Sequence, residues 1–415
     1  MPVRLLKLIS DPQALIRLTL LFLLGSLLIS CRAESGTRVE TLVSTEPPPT
    51  LIPISEGIKL AWFYKPPGNG DLRSLYSHFD TFILTKNDEP QRDALKDMGL
   101  ASGVLQYLRL DAIQDPGSCT AIPFQNQVAN QPGDFCQISA EHDDWFMLDP
   151  DGNRIVYDGY YMMDPSNQGW REFWLERAEL TQNDPGWDGI FLDNYLERAH
   201  QSQQLLRWDG VFLDNVDAST SIFATGSSGE TGGMTHELYQ QGVEGFLEYI
   251  SRSYFEPRNL PVYANLVGVE EDETWFRYLQ YVDGVMAETW AVDWQNRYHS
   301  TEDWNRDLNR IERTMQMGKN VILVAQGDRE DLERQSFAFA SYLLIADSLA
   351  SFRYANYDAY DEIWLYDNYS IELGAPLGPR YYDNGEWQRD FEHGHVSVDP
   401  FFHVGSIEPN TPPTG

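Results

Sequence analysis

Between Ile58 and Ala355 the sequence repeats one unit eight times, a short apolar run followed by a polar or amphipathic stretch. The runs are IKLAWFY (58–64), TFILT (81–85), VLQYLRL (104–110), one or both of WDGIFLDN and WDGVFLDN, LPVYANL (260–266), YVDGVMAETW (281–290), NVILVAQG (320–327) and LASFRYA (349–355). Each is apolar on both faces, which suits a parallel strand covered on both sides. The stretches between them predict helices. THELYQQGVEGFLEYISRSYF (235–255) carries one apolar stripe, STEDWNRDLNRIERTMQMG (300–318) has a cap signal at its start and Gly318 at its end, and SFAFASYLLIADS (336–348) is apolar throughout. Eight alternations predict an α/β chain folded as a (β/α)8 TIM barrel. A doubly wound open sheet fits less well. It does not need eight strands, and WFYKPPGNG after the first run has no glycine-rich phosphate loop.

The flanks read differently. Arg4, Lys7 and Arg17 precede LTLLFLLGSLLIS and Cys31. That apolar stretch is short for a membrane span and predicts a signal peptide. Leu28-Ile29-Ser30-Cys31 resembles a bacterial lipobox, which implies lipidation at Cys31 and an extracytoplasmic, lipid-anchored location in the envelope or at the cell surface. Residues 1–31 are thus a signal peptide and 32–56 a Pro-rich tether. Residues 57–361 are the barrel, 362–404 a small C-terminal β-cap packed on it, and 405–415 a disordered tail. Cys119 and Cys136, in a Gly/Pro-rich stretch of an exported chain, predict a disulfide. The net charge of −33 excludes nucleic acid and anionic lipid as surface partners. No CxxC motif or His/Cys cluster predicts a metal, and DPDGN (149–153) reads as a hairpin turn, since a calcium loop needs a downstream Glu.

In such a barrel, function collects where the strands end. Those positions hold Tyr64, Arg109, Asp111, Asp193 or Asp214 with its Asn, Asn265, Glu288, Trp290, Gln326 and Arg353. A carboxylate directly after an apolar run is costly in the wall but sustainable at the mouth. The FLDN aspartate and Glu288 therefore offer an acid and a base to one pocket, as glycosidic cleavage requires. Trp62, Trp290 and Trp294 suit stacking on sugar rings. The competing reading pairs both acids structurally with Arg109 or Arg353.

WDGVFLDNVD, YANL, DGVMAETW, VILVAQG and the tail WQRDFEHGHVSVDP resemble a family of glycosyl-hydrolase-like barrels of bacteria. That family is distantly similar to endo-α-1,4-polygalactosaminidases and α-galactosidase-type barrels. The resemblance covers Ile58 to Pro400 and implies an acidic pair after the fourth and sixth strands, here an FLDN aspartate and Glu288. It implies a reaction type and no particular sugar.

The chain departs from the family in one place. Leu175–Tyr195 and Leu196–Val216 are the same 21-residue phrase twice, identical at twelve positions. A closed eight-stranded barrel has no vacancy for a second copy. Asp214 is favoured over Asp193, because only the second copy runs on as FLDNVDAS, toward the barrel mouth. The surplus then lengthens the connection before the fourth strand; a misassembled, impaired enzyme is a further possibility. The reading is a monomeric glycoside hydrolase with Asp214 (or Asp193) and Glu288 as catalytic carboxylates. Tyr64, Asn215, Asn265, Trp290, Gln326 and Arg353 contact a carbohydrate substrate, and no cofactor is required. A non-catalytic carbohydrate-binding lipoprotein on the same barrel is the alternative.

Overall fold

The computed structural model describes residues 57–183, 208–220, 234–269, 271–295 and 297–410. Eight of the apolar runs, the fourth being WDGVFLDN, become strands of one parallel sheet: Ala61–Tyr64, Thr81–Leu84, Val104–Arg109, Val211–Asp217, Val262–Val267, Gly284–Ala287, Asn320–Gln326 and Ala350–Ala355. Neighbours pair in chain order, and the ring closes where Leu60 bridges Phe352 in parallel and the Phe352 amide donates to the Lys59 carbonyl at 2.9 Å. The chain is therefore a (β/α)8 barrel.

Strand periodicity sorts the side chains. Ala61, Phe63, Ile83, Leu105, Tyr107, Phe212, Met286, Ile322 and Val324 fill the inside. Their neighbours Leu60, Trp62, Phe82, Val104, Leu108, Leu213, Val285 and Leu323 face the helices in a second, larger core. The helices follow their sequence signals. Thr235 caps His236–Ile250 by accepting from the Leu238 amide, and Ser300 caps Thr301–Gln316 by accepting from the Asp303 amide.

Two additions flank the barrel. After the third strand, segments Ala112–Gln114, Val156–Tyr157 and Tyr160–Met162 form a small antiparallel sheet, beside helix Asp134–Glu141 and a formed Cys119–Cys136 disulfide. In the turn before Val156–Tyr157, Asp149 accepts from the amides of Asp151 and Asn153, and Gly152 takes a φ of 83°. At the C-terminus, strands Tyr381–Asp383, Glu386–Phe391, Gly394–Asp399 and Val404–Pro409 form an antiparallel sheet against helix Leu332–Leu343. The last strand packs so closely that a Cβ on Gly405 would stand 2.7 Å from the Ser336 carbonyl oxygen. This corrects the expected tail from 405: residues through Pro409 are an edge strand, held by pairing with Gly394–Asp399.

The doubled phrase is divided between its copies. Helix Gln168–Asn183 contains the opening half of the first copy, and the fourth strand is the closing half of the second. Gln182 links the two halves, donating from Nε2 to Gln106 Oε1 (2.7 Å) and to the Gly210 carbonyl (3.2 Å). Residues 184–207, including Asp193, lie outside the described residues, as do Cys31 and the tether.

Candidate active site

Alternation along the strands brings Tyr107, Asp214, Asn265, Glu288, Gln326 and Arg353 to one mouth. Two backbone departures complete it. Tyr64 takes a φ of 77°, a left-handed conformation that costs a bulky residue on the order of 1–3 kcal/mol. Its ring packs against Phe63, Tyr107 and Tyr360 with centroids 4.8, 5.0 and 5.3 Å away, and Thr85 Oγ1 holds its carbonyl at 2.8 Å. In the fourth strand the register shifts between Leu213 and Val216, with Asn215 at a φ of 54°. This bulge ends the alternation just beyond Asp214, and asparagine tolerates that conformation. The half-buried Asn215 thus has a backbone role.

The two carboxylates share partners. Asn265 Nδ2 donates to Asp214 Oδ1 at 3.0 Å and to Glu288 Oε2 at 2.7 Å, so those oxygens are no more than about 6 Å apart. Tyr64 OH lies 3.3 Å from Glu288 Oε1 and 3.5 Å from Asp214 Oδ1. Tyr107 OH donates to Asp214 Oδ2 in a short bond. Tyr360 OH donates to Glu288 Oε1 at 2.9 Å and accepts from Gln326 Nε2 at 2.8 Å. Burial, then the charge of Asp214, push the Glu288 carboxyl up to about 8 against the opposing pull of its hydrogen bonds. A carboxyl raised this far favours its proton, and Asp214 beside it is held by the neutral donors Asn265, Tyr64 and Tyr107. A cavity of about 230 Å³ opens beside Glu288 between the fifth and sixth strands. A larger one of about 440 Å³ lies around Pro261 and Lys319 at the opposite end of the barrel, away from these groups.

Several expected contacts are absent from the mouth. Trp290 is 1% exposed and its indole N–H donates to the Ala338 carbonyl at 3.2 Å. Trp62 faces the helices with no exposure, donating to the Lys65 carbonyl. Neither ring can stack on a sugar as expected, because both side chains fill core positions. Arg353 is buried as well. It donates from Nη2 to the Tyr360 carbonyl at 2.6 Å and lies over the Trp62 and Phe63 rings, and burial lowers its guanidinium to about 10. It positions the loop that carries Tyr360. Arg109 and Asp111 pair with each other through two bonds of 2.9 and 2.7 Å, and Arg109 does not hydrogen-bond Asp214 or Glu288. Among the described residues no cluster of three His, Cys, Asp or Glu side chains converges as metal ligands would.

Tyr107 and Tyr360 were missed in the sequence. Tyr107 reads as one more apolar strand residue, though its two-residue offset from Leu105 marks it as inward. Tyr360 lies beyond the eighth strand, and nothing local distinguishes it from Tyr357. A Tyr360→Phe variant is expected to lower turnover about tenfold. Its hydroxyl holds the Glu288 pKa down, so the alkaline limb of the pH–rate profile should move to higher pH; an unmoved limb would show that Tyr360 does not act through Glu288.

No curated protein matches the chain. Among solved structures, the glycoside hydrolase domain of PelA from Pseudomonas aeruginosa is 14% identical, with a TM-score of 0.46 over 74% of this chain and 97% of that one. A GH27 β-L-arabinopyranosidase from Geobacillus stearothermophilus is 8% identical, with a TM-score of 0.44 over 82% and 84%. The family model described as "Hypothetical glycosyl hydrolase family 15" (GHL15) matches residues 103–207 and again 199–395, dividing within the doubled phrase. Since these matches take in well over half of the sequence, the chain belongs to hypothetical glycosyl hydrolase family 15 and is a glycoside hydrolase.

Proposed function

We propose that this protein hydrolyses O-glycosidic bonds of a poly- or oligosaccharide with retention of configuration, using Asp214 as nucleophile and Glu288 as general acid and base. The observation that carries the reading is the amide of Asn265, bonded to both carboxylates at once. A separation of about 5–5.5 Å accompanies a covalent intermediate, whereas inversion needs about 6.5–9.5 Å to seat a water. The bound of about 6 Å favours the first.

In the first step an Asp214 oxygen attacks the anomeric carbon. The bond from that carbon to the leaving oxygen breaks, and Glu288 gives its proton to the departing oxygen. In the second step the Glu288 carboxylate takes a proton from water. The water oxygen attacks the anomeric carbon, and the ester bond to Asp214 breaks. Tyr64 and Tyr360 suit this alternation, because a phenolic hydroxyl can donate to the carboxylate and accept from the acid.

The test is the anomer released at early times, followed by NMR on whichever glycan of a broad panel the enzyme cleaves. Release of the substrate's own anomer is expected. The opposite anomer would sink the retaining mechanism, and no cleavage of any glycan, with glycan binding intact, would favour the non-catalytic binding protein.

The disulfide supports an oxidising, extracytoplasmic location, and the sequence before Cys31 supports lipid anchoring there. A Cys31→Ser variant is expected to lose fatty-acid labelling and to leave the membrane fraction; labelling that persists would refute the anchor.

A further inference from the structure

Two large aromatic rings stand open on the loops that deliver Glu288 and Tyr360. Trp294, six residues beyond Glu288, is 36% exposed, and Tyr357, three before Tyr360, is 58% exposed. Their ring centroids are 6.3 Å apart at an interplanar angle of 63°. Most other tryptophans of the described chain are core residues, among them Trp62, Trp170, Trp174, Trp208, Trp290 and Trp304. An indole and a phenol left in water together forgo the burial that such rings ordinarily obtain.

Both rings are held rather than loose. Asp293 Oδ1 accepts from the amides of Gln295 and Arg297 at 2.9 Å each, and Oδ2 accepts from Arg297 Nε at 2.8 Å. Val292 bridges Tyr298 below that turn. Asn356 Oδ1 accepts from the Asp358 amide at 3.0 Å, and the Ala359 amide donates to the Asn356 carbonyl at 2.8 Å. Each ring thus sits on a stapled turn, with little ordering left to lose when something lands on it.

From this geometry we infer that Trp294 and Tyr357 form a sugar-binding subsite outside the cleavage point, which makes the substrate a chain of several sugars rather than a single glycoside. This rests on the glycosidase reading of the same mouth. The two planes make a corner. One ring covers the C–H face of a pyranose and the other borders its edge. The occupant is a neutral or cationic glycan, since Asp358 directly follows Tyr357, Asp293 directly precedes Trp294, and the chain as a whole is strongly negative.

The test uses the full chain carrying Glu288→Gln, so that binding is read without turnover. It is applied to a glycan array and then titrated with size-graded oligosaccharides of the glycan it selects. Adding Trp294→Ala or Tyr357→Ala is expected to weaken binding of the longer oligomers about tenfold. The shortest bound fragments should be unaffected, and Trp294→Phe should restore part of the loss. Melting curves confirm that each variant folds. Equal weakening at every length, no weakening, or no glycan bound by the Glu288→Gln protein would overturn the subsite. Whether the wild-type enzyme releases sugar from the same glycans judges the hydrolase reading separately.

Discussion

A Glu288→Gln enzyme is expected to lose about 10³–10⁴-fold in turnover on its natural glycan, the range of a general acid removed from a glycosidic leaving group. The loss should shrink for a substrate whose leaving group needs no proton, and azide should restore rate by attacking the intermediate without a base. A uniform loss on both substrates would argue that Glu288 is structural. The amide fits the space. Its oxygen can face the Asn265 N–H, and its NH2 can face the hydroxyls of Tyr64 and Tyr360. Stability should move the other way. The folded protein holds the Glu288 proton more tightly than the unfolded chain, because burial and then Asp214 raise its pKa. Between the ordinary carboxylate range and about 8, the unfolded state therefore binds fewer protons, and wild-type stability falls as pH rises. Glutamine does not titrate, so the variant should melt above wild type at pH 8 and lose that advantage near pH 4. A variant that melts lower at both pH values would remove the proposed strain.

An Asp214→Asn enzyme is expected to be slower by roughly 10⁴-fold or more, since the proposed nucleophile is removed. Asp193→Asn should stay within about twofold of wild type. The contrast isolates the two copies of the phrase, because the same change in the same local sequence is made twice. Loss of the Asp214 charge should also let the Glu288 pKa fall, since that charge is the second cause of its elevation. Deleting residues 187–207, which joins Gly186 to Trp208 and restores a single phrase, should leave activity intact. Helix Gln168–Asn183 and strand Val211–Asp217 already take one half from each copy. Activity in Asp214→Asn that vanishes only when Asp193 is also changed would mean that the first copy can serve the site.

The site was legible to the extent that it depends on where strands stop. Tyr64, Asn265, Gln326, Asp214 and Glu288 all follow apolar runs, and all meet through direct hydrogen bonds or one intervening tyrosine. The reading went astray where a side chain's direction was needed. Trp62 and Trp290 sit beside site residues in the sequence, yet their rings point into the helical layer. Arg353 reaches the interior and is used up on the Phe63 and Tyr360 carbonyls. Tyr360 is brought to Glu288 by a loop with no periodicity to read.

By itself the sequence determined the number of strands, their parallel order and the acids at their ends. Apolar runs covered on both faces have few other solutions, and an ionisable group beside them must sit at a mouth. It also determined that one copy of the repeated phrase was surplus. Only the tertiary structure decided that the first copy opens in helix Gln168–Asn183 while the second supplies the fourth strand, Val211–Asp217, because the two copies share one local pattern. Only the structure placed Tyr107, Tyr360 and the bridging Asn265 around the two carboxylates. Acidity follows from burial and neighbours, which exist only once distant strands have closed into a ring.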